Sequence, residues 1–172
     1  MVPQVLIMVV GLPGTGKSTF SRALAHHIGA HHLNSDVIRA EIGLRGKYSP
    51  SDKAKVYGML EERTEALLKA GATVIIDATL YRQDLRQTYT NLAQQLRCPI
   101  KWIELHTGEA TIKERVSKKR PYSEADMAVY EKIKTLYEPL HGDHLNLETD
   151  NGSLETLVDM ALKFINHEPT TN

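Results

Sequence analysis

Gly11-Leu12-Pro13-Gly14-Thr15-Gly16-Lys17-Ser18 is the stretch that decides the fold, because it matches the pattern G-x-x-x-x-G-K-S/T at every defined position. An unbroken apolar run at 5–10 precedes it, which is typical of a parallel strand buried on both faces. Apolar residues at helical spacing follow it as far as Gly29, a typical helix stop. A strand, a glycine-rich loop and a helix in this order predict a phosphate-binding loop.

The chemistry of such a loop comes from its backbone and from two side chains. Its glycines let successive N–H groups turn inward around phosphate oxygens, and the positive end of the next helix points at the same place. Lys17 can reach the β- and γ-phosphates, and the Ser18 hydroxyl can ligate Mg²⁺. The guanine-selective pattern N/T-K-x-D is absent from the sequence, so we expect ATP with Mg²⁺. The predicted nucleotide-binding residues are Gly11, Leu12, Pro13, Gly14, Thr15, Gly16, Lys17, Ser18 and Thr19.

Strand and helix patterns alternate along the rest of the chain. Further strands are predicted at 31–34, 73–77, 100–105 and 145–147, and helices at 35–43, 52–70, 82–97, 109–119, from Ser123 onward and at 153–166. Ser35 is the expected N-cap of the helix at 35–43. This alternation predicts a single three-layer α/β domain over 1–172, with a parallel five-stranded sheet and helices on both faces.

Composition excludes several classes of protein. The 172 residues are 41% apolar and 24% charged, with a net charge of zero, which argues against disorder and against binding nucleic acid through the whole surface. The single cysteine, Cys98, excludes an internal disulfide framework and a cysteine-based zinc cluster. No apolar run approaches the roughly 18 residues that span a bilayer. We therefore expect a reduced, cytoplasmic protein that does not insert into membranes.

A candidate catalytic base follows the predicted second strand. Asp36 and Arg39 lie in the stretch Asn34-Ser35-Asp36-Val37-Ile38-Arg39, and the carboxyl ends of parallel strands share one edge with the phosphate loop. A carboxylate there can accept the proton of an attacking hydroxyl, and an arginine three residues on could hold a phosphate of the acceptor. The alternative is that Asp36 only complements the helix dipole while Arg39 is solvated.

A candidate metal-binding carboxylate ends the next buried strand. Asp77 follows the apolar run at 73–76, which is the Walker B placement, and it would act with Ser18 around Mg²⁺. The alternative is an ordinary turn residue at a strand end. The histidines near the end of the first helix, His31 and His32 among them, lack convincing metal-ligand spacing and are expected to lie at the surface or near helix caps.

A basic run supplies a candidate lid. Five of the eight residues at 113–120 are Lys or Arg, and a lid at about 109–122 could close over the nucleotide. Arg115 and Arg120 would then neutralise charge on the transferred phosphoryl group. The alternative is a solvated basic helix face. A short chain with such a lid suggests a fold like that of nucleoside monophosphate kinases.

Taken together, these motifs resemble the phage-type 5′-hydroxyl polynucleotide kinase family. They resemble equally its wider clan of small bacterial P-loop kinases, which includes zeta-toxin-like proteins and chloramphenicol phosphotransferases. The stretches Ser123–Asp126 and Glu138-Pro139-Leu140 are most similar to the predicted-kinase branch of that clan. The resemblance implies that Asp36 is the general base, Arg39 the acceptor-site arginine, and Arg115 with Arg120 the arginines of the lid.

Two hypotheses of different classes follow. The first is a kinase dependent on ATP and Mg²⁺ that phosphorylates a hydroxyl of a polynucleotide 5′-end or of a small alcohol such as a sugar, nucleoside or antibiotic. The second is a nucleotide-sensing module that hydrolyses ATP slowly. Asp36 discriminates between them, because a sensor has no need of an acceptor base beside the γ-phosphate. The identity of the acceptor and the oligomeric state stay open.

Overall fold

The computed structural model describes residues 2–118 and 125–167 and has a parallel five-stranded sheet at its centre. The strands are β1 (Leu6–Val10), β2 (His31–Asn34), β3 (Val74–Asp77), β4 (Ile100–His106) and β5 (Leu145–Glu148). Their spatial order is β2-β3-β1-β4-β5, and every neighbouring pair is parallel. The predicted α/β fold with five parallel strands is confirmed.

Helices cover both faces of this sheet. They are α1 (Lys17–Ile28), α2 (Ser35–Glu41), α3 (Pro50–Lys69), α4 (Gln83–Gln95), α5 (Glu109–Ser117), α6 (Met127–Leu136) and α7 (Leu154–Asn166). Alternate residues of β1 serve the two faces: Ile7 and Val9 pack with α1 and α7, while Leu6, Met8 and Val10 pack with α2, α3 and α4. None of the helices described is long and apolar enough to cross a membrane.

The start of α2 differs from the prediction in a way that matters for the site. Asn34, not Ser35, is the N-cap, and its side-chain oxygen accepts hydrogen bonds from the backbone N–H groups of Asp36 at 2.8 Å and Val37 at 3.1 Å. Asn34 takes the cap because its backbone is extended while Ser35 is already helical. A helix start at Ser123 was also predicted, but that residue lies outside the described residues.

Arg86 joins two distant segments beside the sheet. Its side chain is 1% exposed, and its three nitrogens donate to the carbonyl oxygens of Leu80 at 2.7 Å, Glu138 at 2.7 Å and Pro139 at 3.1 Å. Its guanidinium also lies 5.2 Å from the ring centre of Tyr137. Arg86 therefore holds the chain that follows α6 against the turn that leads into α4.

We expect Arg86→Ala to lower the free energy of unfolding by about 2–4 kcal/mol, because a buried guanidinium and its three hydrogen bonds are lost. Denaturant unfolding followed by circular dichroism measures this loss. Arg63→Ala is the matched control, since Arg63 is partly exposed and forms a surface ion pair with the exposed Glu41. Equal stability losses in the two variants would contradict a structural role for Arg86.

Candidate active site

The phosphate loop lies between β1 and α1, and two of its glycines are required by geometry. Gly11 has φ +147°, and a Cβ placed there would lie 2.6 Å from the carbonyl oxygen of Leu105 on β4. Gly14 has φ +82°, and its Cβ would approach a methyl group of Val116 on α5 to 3.0 Å. Both conformations disfavour L side chains. The loop is thus packed tightly between the sheet and α5.

Side chains around the loop hold its backbone in place. The Lys17 ammonium donates to the carbonyl oxygens of Gly11 at 2.9 Å and Leu12 at 3.0 Å. The hydroxyl of Thr149, just beyond β5, donates to the carbonyl oxygen of Thr15 at 2.7 Å, and Arg115 on α5 donates to that of Gly14 at 3.1 Å. These contacts place Lys17 at the loop and bring Arg115 to it from the other side.

Asp77 lies at the centre of a polar cluster at the carboxyl edge of the sheet. Its carboxylate is 1% exposed, and its Oδ2 accepts hydrogen bonds from His32 Nε2 at 3.0 Å and Asn34 Nδ2 at 2.8 Å. The same Asn34 nitrogen donates to Ser18 Oγ at 3.1 Å. The parallel pairing of β2 with β3 sets Asn34 directly opposite Asp77. One amide therefore joins Ser18 to Asp77.

The charge of Asp77 is stabilised in spite of its burial. Burial alone would raise the pKa of this carboxyl, but the hydrogen bonds from His32 and Asn34 and the nearby charge of Lys17 outweigh it, so the pKa is lowered. Asp77 is therefore ionised at neutral pH. Its contribution to stability is present above the usual carboxyl pKa and is lost as the pH falls through the lowered value.

Asp36 and Arg39 both line the cleft beside the phosphate loop. Asp36 is half-buried in the first turn of α2, while Arg39 is 6% exposed. The Arg39 guanidinium lies 4.4 Å from the ring centre of Tyr48 and donates to the carbonyl oxygen of Lys47 at 2.7 Å. The alternative of a solvated Arg39 is wrong, since Arg39 secures the loop between α2 and α3. Its contact with an acceptor stays a prediction.

Helices α5 and α6 form the opposite wall of the cleft. Ile112 and Val116 of α5 pack with the buried Tyr130 of α6 and against Leu12 of the phosphate loop. Arg115 and the apolar residues Val129, Ile133 and Leu136 line the cleft. Of the predicted lid, Arg120 and the rest of 119–122 lie outside the described residues. The described part of the basic run thus meets the phosphate loop through Arg115.

A single cleft of about 1570 Å³ brings most of the predicted residues together. It contains residues of the phosphate loop, the candidate base, the candidate metal-binding carboxylate and the arginine of α5. Such a volume is large enough for a nucleotide with a second small molecule. The predicted residues on its lining are Pro13, Gly14, Gly16, Lys17, Ser18, Thr19, Asp36, Arg39, Asp77 and Arg115.

Three residues that hold other groups of the site in place were not predicted from the sequence: His32, Asn34 and Thr149. The expectation that the histidines lie at the surface or near caps is wrong for His32, which bonds the buried Asp77. A signal for the first two existed, because residues two apart on a strand share a face. Thr149 carried no such signal. Among residues 2–118 and 125–167, no group of three or more His, Cys, Asp or Glu side chains could hold a metal ion.

Ser18 and Asp77 suit magnesium in their chemistry. Mg²⁺ prefers oxygen ligands and keeps several waters, so one hydroxyl and one ionised carboxylate beside phosphate oxygens are the expected protein contribution. Both residues line the cleft and share Asn34 as a hydrogen-bond donor. The residues present therefore fit this ion. Their role as its ligands stays a prediction.

The fold and the site together define a P-loop nucleotide-binding domain of kinase-like architecture. The family model AAA_33, described as an AAA domain, matches residues 6–140, and the chain belongs to this family. An uncharacterized protein of Mycobacterium tuberculosis is 34% identical over 100 residues, which cover 51% of this chain and 20% of that protein. This chain thus spans only about a fifth of the length of that relative.

Two kinases are similar to most of the chain. A shikimate kinase of Burkholderia thailandensis is 28% identical over 175 aligned positions, covering 93% of this chain and 89% of that enzyme. The structure of Mycobacterium tuberculosis APS kinase CysC in complex with AMPPNP and APS has a TM-score of 0.74 at 16% identity. It covers 97% of this chain and 100% of that one. The fold is therefore one that kinases share.

We expect Lys17→Ala to weaken ATP binding about 10- to 100-fold, because a charge-assisted contact with the phosphates is lost. Isothermal titration calorimetry with ATP measures this. Lys55→Ala, which removes an exposed lysine of α3 away from the cleft, is the matched control. Unchanged affinity in Lys17→Ala would contradict the assignment of the phosphate loop.

Proposed function

We propose that this protein transfers the γ-phosphoryl group of ATP to a hydroxyl group of a small molecule, with Mg²⁺ as the metal. The observation that carries the proposal is the placement of Asp36 in the same cleft as Lys17 and the Ser18–Asp77 pair. A module that only binds a nucleotide needs Lys17, Ser18 and Asp77. A carboxylate beside these residues can accept the proton of an attacking hydroxyl, which a nucleotide-binding module does not require.

In the proposed reaction, Asp36 accepts the proton of the acceptor hydroxyl as its oxygen attacks the γ-phosphorus. The new phosphorus–oxygen bond forms as the bond to the β–γ bridging oxygen breaks, and ADP leaves. Magnesium supplies positive charge that neutralises the phosphate oxygens when it is bound. Lys17 places its charge between the β- and γ-phosphates, and Arg115 does the same from α5.

Three of the basic side chains that line the cleft are already engaged within the protein, which favours a small molecule over a polynucleotide. Arg63 pairs with Glu41 at 2.6 Å, Arg82 pairs with Asp84, and Arg39 is held by Lys47 and Tyr48. A polynucleotide needs a groove of cations that follows its phosphates. These three arginines line the cleft but already have partners within the protein.

The rings that line the acceptor side also suit a compact, weakly charged alcohol. Tyr48, Tyr57 and Tyr81 lie along the cleft with Leu85. Burial, and then the neighbouring Tyr81, raise the pKa of Tyr57 to about 12, so its hydroxyl stays protonated. Neutral phenol groups offer hydrogen bonds to hydroxyls and apolar faces to a carbon skeleton. This supports a small polyol or ring alcohol as the acceptor class.

A transfer screen tests the proposal directly. The protein is incubated with γ-labelled ATP and Mg²⁺, and with sugars, alicyclic alcohols, nucleosides or an oligonucleotide with a 5′-hydroxyl. We expect label to pass to one of the small alcohols. Transfer to the oligonucleotide alone would replace the small-molecule proposal with a polynucleotide kinase. Slow hydrolysis without transfer to any acceptor would favour the nucleotide sensor.

We expect Asp36→Asn to lower the transfer rate by about 10²–10⁴, because the amide keeps the shape of the carboxylate but cannot take the proton. Affinity for ATP should stay near that of the wild type, since the phosphate loop is untouched. Asp52→Asn is the matched control, as Asp52 occupies the first turn of α3 and does not line the cleft. A wild-type rate in Asp36→Asn would refute the role of base.

We expect Arg115→Ala to lower kcat about 10- to 100-fold while changing the Kd for ATP less. Charge from this arginine stabilises the transferring phosphoryl group more than the bound substrate, so its loss falls mainly on kcat. Steady-state kinetics and calorimetry separate the two effects. Lys113→Ala, on the same helix with an exposed partner in Glu109, should leave both unchanged. Loss of ATP affinity alone would assign Arg115 to ground-state binding.

A further inference from the structure

Asn34 uses every hydrogen-bonding site of its side chain. Its Oδ1 accepts from the backbone N–H groups of Asp36 and Val37, and its Nδ2 donates to Asp77 Oδ2 and Ser18 Oγ. A side-chain amide has two acceptor lone pairs and two donor hydrogens, so none is left over. The two backbone donors can meet only the oxygen, and the carboxylate can meet only the nitrogen. The orientation of the amide is therefore determined by its partners.

The donated hydrogens of Asn34 orient both candidate metal ligands. One lone pair of Ser18 Oγ is taken by Asn34, which leaves the other lone pair for the cleft. Asp77 Oδ2 receives both Asn34 and His32. The orientation of the carboxylate in the cleft is thus held through this one oxygen. This is how carboxylates beside metals are usually oriented.

The hydrogen bonds that Asn34 Oδ1 accepts hold the backbone of the candidate base, Asp36. Because Asn34 caps α2, it holds the backbone of Asp36 at 2.8 Å, two residues along the chain. The residue whose carboxylate would receive the proton is therefore hydrogen-bonded, through its backbone N–H, to the same side chain that holds Ser18 and Asp77. In a phosphoryl transfer the metal-bound phosphate and the attacking hydroxyl must be aligned within a fraction of an ångström. The Asn34 amide is hydrogen-bonded both to the candidate metal ligands and to the backbone of the candidate base.

We propose that Asn34 is a positioning residue that couples the metal side of the site, Ser18 and Asp77, to the base side, Asp36. This inference rests on the proposed phosphoryl transfer. Asn34 would act through its hydrogen bonds to Ser18, to Asp77 and to the backbone of Asp36. Its loss should therefore affect magnesium dependence and turnover together, whereas the loss of a helix cap alone affects only stability.

Separating the two roles requires a variant that keeps the cap. Asn34→Ser retains an oxygen that can accept from the α2 backbone, since serine is a good N-cap, but it lacks the Nδ2 donor. Asn34→Ala removes both. Ser153→Ala is the matched control, because Ser153 caps α7 by accepting from Thr156 N at 3.2 Å, and it does not line the cleft. The three variants distinguish coupling from capping.

Four measurements are made on each variant: the melting midpoint without metal, the Kd for ATP without metal, the Mg²⁺ concentration at half-maximal rate, and kcat. We expect Asn34→Ser to raise the half-maximal Mg²⁺ concentration about 10- to 100-fold and to lower kcat at least about tenfold. The Kd for ATP without metal should stay within about twofold. Ser153→Ala should lower the melting midpoint by about 2–4 °C and leave the other three values unchanged.

Two results would overturn the inference. Wild-type magnesium dependence and kcat in Asn34→Ser would reduce Asn34 to a helix cap. An equal rise in half-maximal Mg²⁺ concentration for Ser153→Ala would attribute the effect to general destabilisation. If Asn34→Ser does not fold, Asn34→Thr offers the same cap and takes its place.

Failure of the proposed function is distinguishable from failure of this inference. If the wild type transfers phosphate to no acceptor, the kinase proposal fails, but magnesium can still be studied through its effect on ATP binding. Calorimetry with and without Mg²⁺ then gives the tightening of ATP binding by the ion. We expect that tightening to be lost in Asn34→Ser and retained in Ser153→Ala. Equal tightening in both variants would contradict the role of Asn34.

Discussion

The site depends on one register, the parallel pairing of β2 with β3 that sets Asn34 opposite Asp77. Side chains alternate along a strand, so a slip of one residue would turn Asn34 and His32 away from Asp77 together. The carboxylate would then be buried without its donors, at a cost of several kcal/mol. The same strand pairing therefore gives the buried Asp77 its hydrogen-bond donors and brings Asn34 to Ser18.

The parts of the structure that could be predicted from sequence are those encoded locally. The phosphate loop, the apolar run of β1 and the buried strand that ends at Asp77 each lie within a few consecutive residues. The fold class followed from their alternation with helices. Strand order is not encoded locally in the sequence. The position of β3 between β2 and β1 depends on the packing of the whole sheet.

Two contacts that were not predicted join residues far apart in the chain. Thr149 bonds Thr15 across 134 positions, and Arg86 meets Glu138 across 52. Neither contact leaves a pattern in the residues beside it. His32 and Asn34 are different: both strands were predicted, but the pairing that sets β3 beside β2 was not. The N-cap was assigned to Ser35 because a serine before a helix is as good a signal as an asparagine.

The cleft combines contacts to backbone carbonyl groups at the phosphate loop with a lining of side chains elsewhere. At the phosphate loop the contacts end on backbone atoms, the carbonyl groups of Gly11, Leu12, Gly14 and Thr15. Elsewhere the cleft is lined by side chains such as Tyr48 and Leu136, which are partly exposed. Substitution of a partly exposed side chain on the cleft lining leaves these backbone carbonyl groups in place. A change at an exposed lining position such as Tyr48 would therefore alter the shape of the cleft without removing these contacts at the phosphate loop.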